Sequence, residues 1–234
     1  MKGTSRSDQI IVFTRYPVPG KVKTRLIPAL GRAGAAELQR TLTEKTIDTA
    51  RNFASAAGAA VAVHFEGGTE SQMGRWLGPG LIFSPQTQGD LGRRMHAAFQ
   101  DAFQKGYKKV LLFGTDIPNL STRHLEEALT ALETKDVVLG PSTDGGYWLI
   151  GLKRQADLYQ GIPWGTEAVL RETLRTAEER GLSTHLLSPL TDIDTVEGLR
   201  KVMPSHASSG PYVSVIIPAL NEALCIEQAI AWAR

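Results

Sequence analysis

Short runs of β-branched and aromatic residues alternate with helix-length segments along almost the whole chain, and this alternation is what most limits how it can fold. Residues 9–14 read as a first strand, rich in Ile, Val and Phe and stopped by a turn holding Pro17, Pro19 and Gly20. Residues 33–57 place Leu38, Leu42, Ile47, Ala50 and Phe53 close to helical spacing, with charges between them. Strands are expected at 59–65 and 81–84, then a helix at 91–105 with Met95, Ala98, Phe99, Ala102 and Phe103 as its apolar stripe. The run 109–114 is almost continuously apolar, as in a strand covered on both faces. Ser121 opens another helix. Further strands are expected at 137–140, 147–152 and 184–188, with a helix at 167–180 between the last two. Such alternation implies an α/β chain with a mainly parallel sheet and helices on both faces, a three-layer α/β/α Rossmann-like class. Ligands bind beyond the carboxyl ends of the strands in such sheets. The segments after Thr14, Gly114 and Ser188 are therefore the places to search.

Composition removes several alternatives. With 234 residues, 42% hydrophobic and 21% charged, the chain can bury a large core without disulfides or structural metal. A formal net charge of +2 gives no reason to expect a nucleic-acid partner. The apolar run before Phe13 is too short for a signal-peptide core or a membrane span. One cysteine, Cys225, rules out a disulfide within the chain and suits a reducing compartment. A cytoplasmic location without a membrane span is the expectation. The five histidines show no metal-ligand spacing, and no Gly-x-Ser-x-Gly elbow is present.

Against that near-neutral background, the loop after the first strand stands out. Arg15, Lys21, Lys23 and Arg25 surround Pro17, Pro19 and Gly20, with Thr24 among them. Cations on backbone that can approach closely suit phosphates, each charge-assisted hydrogen bond contributing ~1.5–3 kcal/mol. The loop is not a Walker A motif: Arg15 stands where that motif needs glycine, and Val22 where it needs Ser or Thr. Asp116 follows Thr115 just past the 109–114 strand and precedes Pro118, a position suited to a hard-metal ligand. Ser121 or Asn119 would cap the following helix better than Asp116, which weakens a purely structural reading. Asp192 and Asp194 follow the last strand two residues apart, so in extended chain both project to one side. They read as metal ligands, or Asp194 or Thr195 caps the following helix with Glu197 in its first turn. Asp144, Gly145 and Gly146 form a tight turn between two strands, read either as a substrate contact or as a hairpin turn. The segment 86–95, with Gln88, Gly89, Arg93 and Arg94, opens a helix and either contacts base or substrate or is an ordinary helix entry.

Taken in order, RYPVPGKVKTRL, QGDLGRRM, LLFGTDIPNL, GPSTDGGYWLIGL and DIDTVEGL resemble the GT-A-fold transferases described as arsenosugar-biosynthesis-type glycosyltransferases. These are similar to 2-phospho-lactate guanylyltransferase and, more distantly, to molybdenum-cofactor guanylyltransferase. The resemblance covers residues 10 to about 202, within a domain spanning 1–203. It implies the nucleotide-diphospho-sugar transferase fold, a nucleotide and a small-molecule acceptor as partners, and Mg2+ or Mn2+ as cofactor. By motif match it implies nucleotide binding by Arg15, Gly20, Lys21, Lys23, Thr24, Arg25, Gln88, Gly89 and Thr115. Lys23, Arg25 and Asp116 would be catalytic, Asp144, Gly145 and Gly146 would meet substrate, and Asp116 with Asp192 or Asp194 would hold metal. The first loop lacks the Gly-Gly-x-Ser/Gly signature of the molybdenum-cofactor enzymes, so the choice of base does not carry over. Nucleotidyl transfer to a phosphorylated acceptor is the leading expectation, with glycosyl transfer from a sugar nucleotide and a non-catalytic nucleotide-binding module as alternatives. After a small-polar linker at 204–211, residues 212–234 resemble the opening strand and loop of family 2 glycosyltransferases, read as the truncated start of a second domain.

Overall fold

The computed structural model describes residues 8–202, so the expected linker and the segment 212–234 lie outside the described residues. Seven strands form one sheet: β1 (Asp8–Arg15), β2 (Ala60–Glu66), β3 (Ile82–Pro85), β4 (Lys109–Phe113), β5 (Val137–Pro141), β6 (Tyr147–Leu152) and β7 (Thr184–Leu186). Their order across the sheet is β3-β2-β1-β4-β6-β5-β7. Six helices accompany them: α1 (Ile27–Ala57), α2 (Glu70–Leu77), α3 (Leu91–Gln104), α4 (Thr122–Thr134), α5 (Val169–Glu179) and α6 (Val196–Val202).

The central strands show why three layers form. Along β1, Ile10 and Val12 join the apolar cluster built with α1, α2 and α4, including Ile47, Phe53, Met73 and Leu125. Ile11 and Phe13 point the other way, into a cluster with Met95 and Phe99 of α3 and Ala177 of α5. A period of two thus feeds two cores, and a strand so covered has no polar face. The continuous apolar run of β4 has the same cause: Leu111 and Phe113 enter one core, Val110 and Leu112 the other.

The sheet is parallel except around β6, which runs antiparallel to both β4 and β5. The β5–β6 connection is a hairpin, so the structural reading of that turn is realised. The Asp144 carboxylate accepts from the Gly146 N–H at 3.0 Å and from the Ser142 hydroxyl. Gly145 at φ +87° lies where a side chain would collide with the Glu167 backbone. Because β6 runs backwards, its first residues, Tyr147 and Trp148, arrive beside the carboxyl end of β4, where Phe113 pairs with Leu149.

Boundaries differ from expectation in physically simple ways. The first helix begins at Ile27 rather than near 33, with a break at Gly31 (φ 69°, ψ 171°) that only glycine adopts cheaply. The short α2 was not expected; Thr69 and Gln72 cap it reciprocally. Ser121 does begin α4, but the residue reaching back to its N–H is His124, at 3.1 Å. The last strand ends at Leu186. No helix among the described residues is long and apolar enough to cross a membrane.

Candidate functional site

At the carboxyl ends of β1 and β4 lies a cleft of about 1200 Å3. Its floor is a buried polar knot. Gln39, 5% exposed on α1, donates its side-chain amide to the hydroxyls of Thr43 and Thr115, both at 3.1 Å, and Thr14 and Thr43 hydroxyls meet at 2.9 Å. Thr14 ends β1 and Thr115 follows β4, so one helix residue fixes both strand ends. Buried polar groups satisfied this way hold geometry firmly, since losing a partner costs about 1–3 kcal/mol.

The first loop meets the cleft through a single 3-10 turn at Thr24–Leu26. Leu26 is buried against Leu42, Ile193 and the apolar side of α6. Ahead of that turn, Lys23 adopts a left-handed backbone (φ 46°, ψ 41°), a conformation costing a non-glycine residue about 1–2 kcal/mol. This turns its side chain inward. The side chain is only 2% exposed, and its ammonium pairs with Asp116 at 2.6 Å and donates to the Ile193 carbonyl. The Ile193 N–H returns a bond to the Asp116 carbonyl at 2.8 Å. Lys23, Asp116 and Ile193 therefore staple three loops together. Arg25, two residues on, faces outward and pairs with Asp194 at 2.8 Å, their side chains 70% and 38% exposed.

The acids converge from separate loops. Leu190 donates its N–H to the Pro141 carbonyl at 3.0 Å and accepts from Thr143 N–H at 3.2 Å, drawing the 190–195 segment beside the hairpin. Burial holds the Asp192 carboxyl above its ordinary pKa, and the nearby carboxylates of Asp144, Asp116 and Asp194 raise it further. Of the two uses weighed for this segment, the cap falls to Thr195, whose hydroxyl accepts from Gly198 N–H at 3.1 Å. Asp194 is engaged by Arg25 instead.

The cleft thus gathers Arg15, Lys23, Arg25, Thr115, Asp116, Asp144, Gly146, Asp192 and Asp194. It does not gather Gly20, Lys21, Thr24, Gln88 or Gly89. Gln88 and Gly89 are exposed ahead of α3, where Asp90 caps the helix by accepting from Arg93 N–H at 2.8 Å. Gly145 lies instead along a groove beside α5. Of the segment 86–95, Gln86 and Arg94 do line the cleft, while Gln39, Glu66 and Trp164 carried no expectation. Gln86 donates to the His64 carbonyl at 3.0 Å and holds Arg94 at 3.1 Å. Arg94 and Arg15 share the Glu66 carboxylate. Trp164, edge-on to Tyr147, completes the opposite wall. Gln39 sits four residues from Ala35 and three from Leu42, so helical spacing alone could have marked it as an inward polar residue.

Carboxylate oxygens are the donors that Mg2+ and Mn2+ prefer. Among the described residues no three histidine, cysteine, aspartate or glutamate side chains come together closely enough to hold a metal ion by themselves. Mg2+ usually needs only one or two carboxylates, with phosphates and water completing its shell. Asp116, with its side chain 44% exposed beside Lys23, and Asp192 fit that requirement.

Comparison with known proteins places this cleft in context. Residues 49–166, half of the chain, match the family described as "Uncharacterized protein conserved in bacteria (DUF2064)". No curated protein matches. A solved structure, a candidate nucleotide-diphospho-sugar transferase from Desulfovibrio desulfuricans G20, is 33% identical, covering 87% of this chain and 89% of its own, with TM-score 0.78. The 4-diphosphocytidyl-2C-methyl-D-erythritol synthase of Anaerococcus prevotii is 11% identical, covering 83% and 95%, with TM-score 0.56. CMP:2-keto-3-deoxy-manno-octonic acid synthetase complexed with CTP is 14% identical, covering 84% and 96%, with TM-score 0.50. These two bear on the fold alone, which is the Rossmann-like GT-A fold of nucleotide-diphospho-sugar transferases. With a family match over half its length and a one-third-identical relative over most of both chains, this chain belongs to the DUF2064 family of bacterial proteins.

Proposed function

We propose that the chain is a nucleotide-using transferase that moves a nucleotidyl group from an NTP to a phosphorylated small acceptor. The observation that carries this reading is the meeting of Arg15, Lys23 and Arg25 with Asp116, Asp144, Asp192 and Asp194 in one cleft at the ends of β1 and β4. An acceptor phosphate oxygen attacks the α-phosphorus of the NTP. A new P–O bond forms there as the bond to the bridging oxygen breaks, and pyrophosphate leaves with the electron pair. No protein nucleophile is required, so the chain acts by positioning and by neutralising charge. Arg25 and Arg15, at the open side, are placed to draw phosphates in. Lys23 acts one step back, fixing the carboxylate of Asp116. Asp116 and Asp192 would hold Mg2+ or Mn2+, which supplies neutralisation of the charge developing on the phosphates. Asp144 and Gly146, with Trp164, form the wall on which an acceptor would lie.

Glycosyl transfer from a sugar nucleotide is the second reading, favoured by the name of the one-third-identical relative. One experiment separates the two. The full chain is incubated with Mg2+, each NTP and a panel of phosphorylated small acceptors, and pyrophosphate is assayed. A parallel set with sugar nucleotides is assayed for released nucleoside diphosphate. Acceptor-dependent pyrophosphate, lost in Asp116→Asn, is the expected result. Sugar transfer without pyrophosphate from any NTP would replace this reading by the second.

A further inference from the structure

The geometry points to the Arg25–Asp194 ion pair as a clasp at the rim of the cleft that withholds the guanidinium and is opened by the phosphates of an incoming nucleotide. This rests on the nucleotide reading of the same cleft. The cations that reach the cleft from the first loop are not equivalent. Lys23 is committed: its ammonium is buried on Asp116 and the Ile193 carbonyl, so moving it would strand a charge out of water. Arg15 and Arg94 share Glu66, which keeps one cation if the other leaves. Arg25 and Asp194 differ from both. They are exposed, they pair at 2.8 Å, and no other ion pair to Asp194 is present among the described residues.

An exposed ion pair is weak, so a polyphosphate with several charges competes for the guanidinium effectively. The backbone favours this exchange. The 3-10 turn anchors Leu26 in the core while leaving Arg25 on the rim, so the guanidinium swings without disturbing the packing below. Ile193 is likewise held, through Lys23 and Asp116, so Asp194 stays in place after its partner departs. Opening the clasp therefore leaves a fixed, unpaired carboxylate beside the bound phosphates. While the pair is intact, Asp194 competes with the phosphates for Arg25. The consequence runs against the intuition that removing a site carboxylate weakens binding.

The test is a double-mutant cycle on the full chain, titrated calorimetrically with inorganic triphosphate in EDTA, so that no divalent cation takes part. Asp194→Asn should bind triphosphate more tightly than wild type, by up to about fivefold, the equivalent of an exposed ion pair. Arg25→Gln should bind more weakly. In the Arg25→Gln background, Asp194→Asn should lose most of that gain, because no guanidinium remains to be freed. A gain of equal size in both backgrounds would reduce the effect to general repulsion, and no gain in Asp194→Asn would remove the clasp outright; either result overturns the proposal. If wild type binds neither inorganic triphosphate in EDTA nor any of the four NTPs with Mg2+, the nucleotide reading itself falls. Binding by wild type without a gain in Asp194→Asn sinks the clasp alone. Melting curves are recorded for every variant, and Asp194→Ser carries the same cycle should Asp194→Asn not fold.

Discussion

Replacing Lys23 by alanine should damage the fold, although motif matching alone makes it an exposed phosphate ligand. The side chain is 2% exposed and its ammonium serves both Asp116 and the Ile193 carbonyl. A hydrogen bond involving a charged group contributes ~1.5–3 kcal/mol. Removing Lys23 forfeits two, offset in part because a buried ammonium no longer has to be kept from water. Asp116 recovers more easily: with its side chain 44% exposed it is rehydrated. The left-handed backbone remains unfavourable for alanine, so no strain is relieved. A net loss of about 2 kcal/mol follows. For a domain of this size that corresponds to a fall in Tm of about 4–8 °C. Arg25→Ala, which removes an exposed pair, should cost less than about 0.5 kcal/mol. Differential scanning calorimetry on the two variants and wild type measures both. If Lys23→Ala melts with wild type while triphosphate binding collapses, the inward staple is wrong and Lys23 belongs to the phosphates.

Two further predictions concern residues away from the reacting groups. Burial lowers the pKa of His64 on β2 to about 4, so between pH 6.5 and 4 the unfolded chain takes up a proton that the folded chain refuses. Stability is whole above pH 6.5 and is lost as pH falls through that window, by up to about 3 kcal/mol from this residue. Urea unfolding at stepped pH should show the loss, and His64→Phe, which can keep the stacking on Phe13, should flatten it; an unchanged slope would discharge His64. Gly145→Ala should destabilise by more than about 2 kcal/mol, because its φ of +87° disfavours a side chain and a Cβ would strike the Glu167 backbone. A variant as stable as wild type would return Gly145 to the substrate-contact reading.

The parts of the fold legible in the sequence are those with an all-or-none signal. The runs that became β1 and β4 are apolar at consecutive positions because each feeds two cores, and no exposed strand would tolerate that. Direction is not encoded so directly. The expectation of a mainly parallel sheet holds, yet β6 reverses because Ser142, Asp144 and Gly146 close a hairpin with their own hydrogen bonds. The same glycine-rich stretch would suit a ligand loop, and composition does not separate the two uses. Gly145 is explained by the Glu167 backbone against it, a contact made by a residue more than twenty positions away.

For the site, sequence locates charge but not its aim. Lys23 and Arg25 are two apart in one basic loop and look interchangeable. What separates them is one left-handed residue followed by one 3-10 turn, which sends the first side chain inward and leaves the second on the rim. Neither Lys at positive φ nor a three-residue turn has a sequence signature, so that division is visible only in three dimensions. It also bears on how the cleft's four aspartates are balanced. Asp116 is neutralised permanently from below by a buried ammonium, and Asp194 is neutralised temporarily from above by an exposed guanidinium. Asp192 has no ion pair among the described residues, and burial, with Asp144, Asp116 and Asp194 nearby, holds its proton affinity up. A buried carboxyl without an ion pair has much to gain from an arriving cation. In the metal reading proposed above, that difference, rather than the two-residue spacing, is the ground for taking Asp192 over Asp194 beside Asp116.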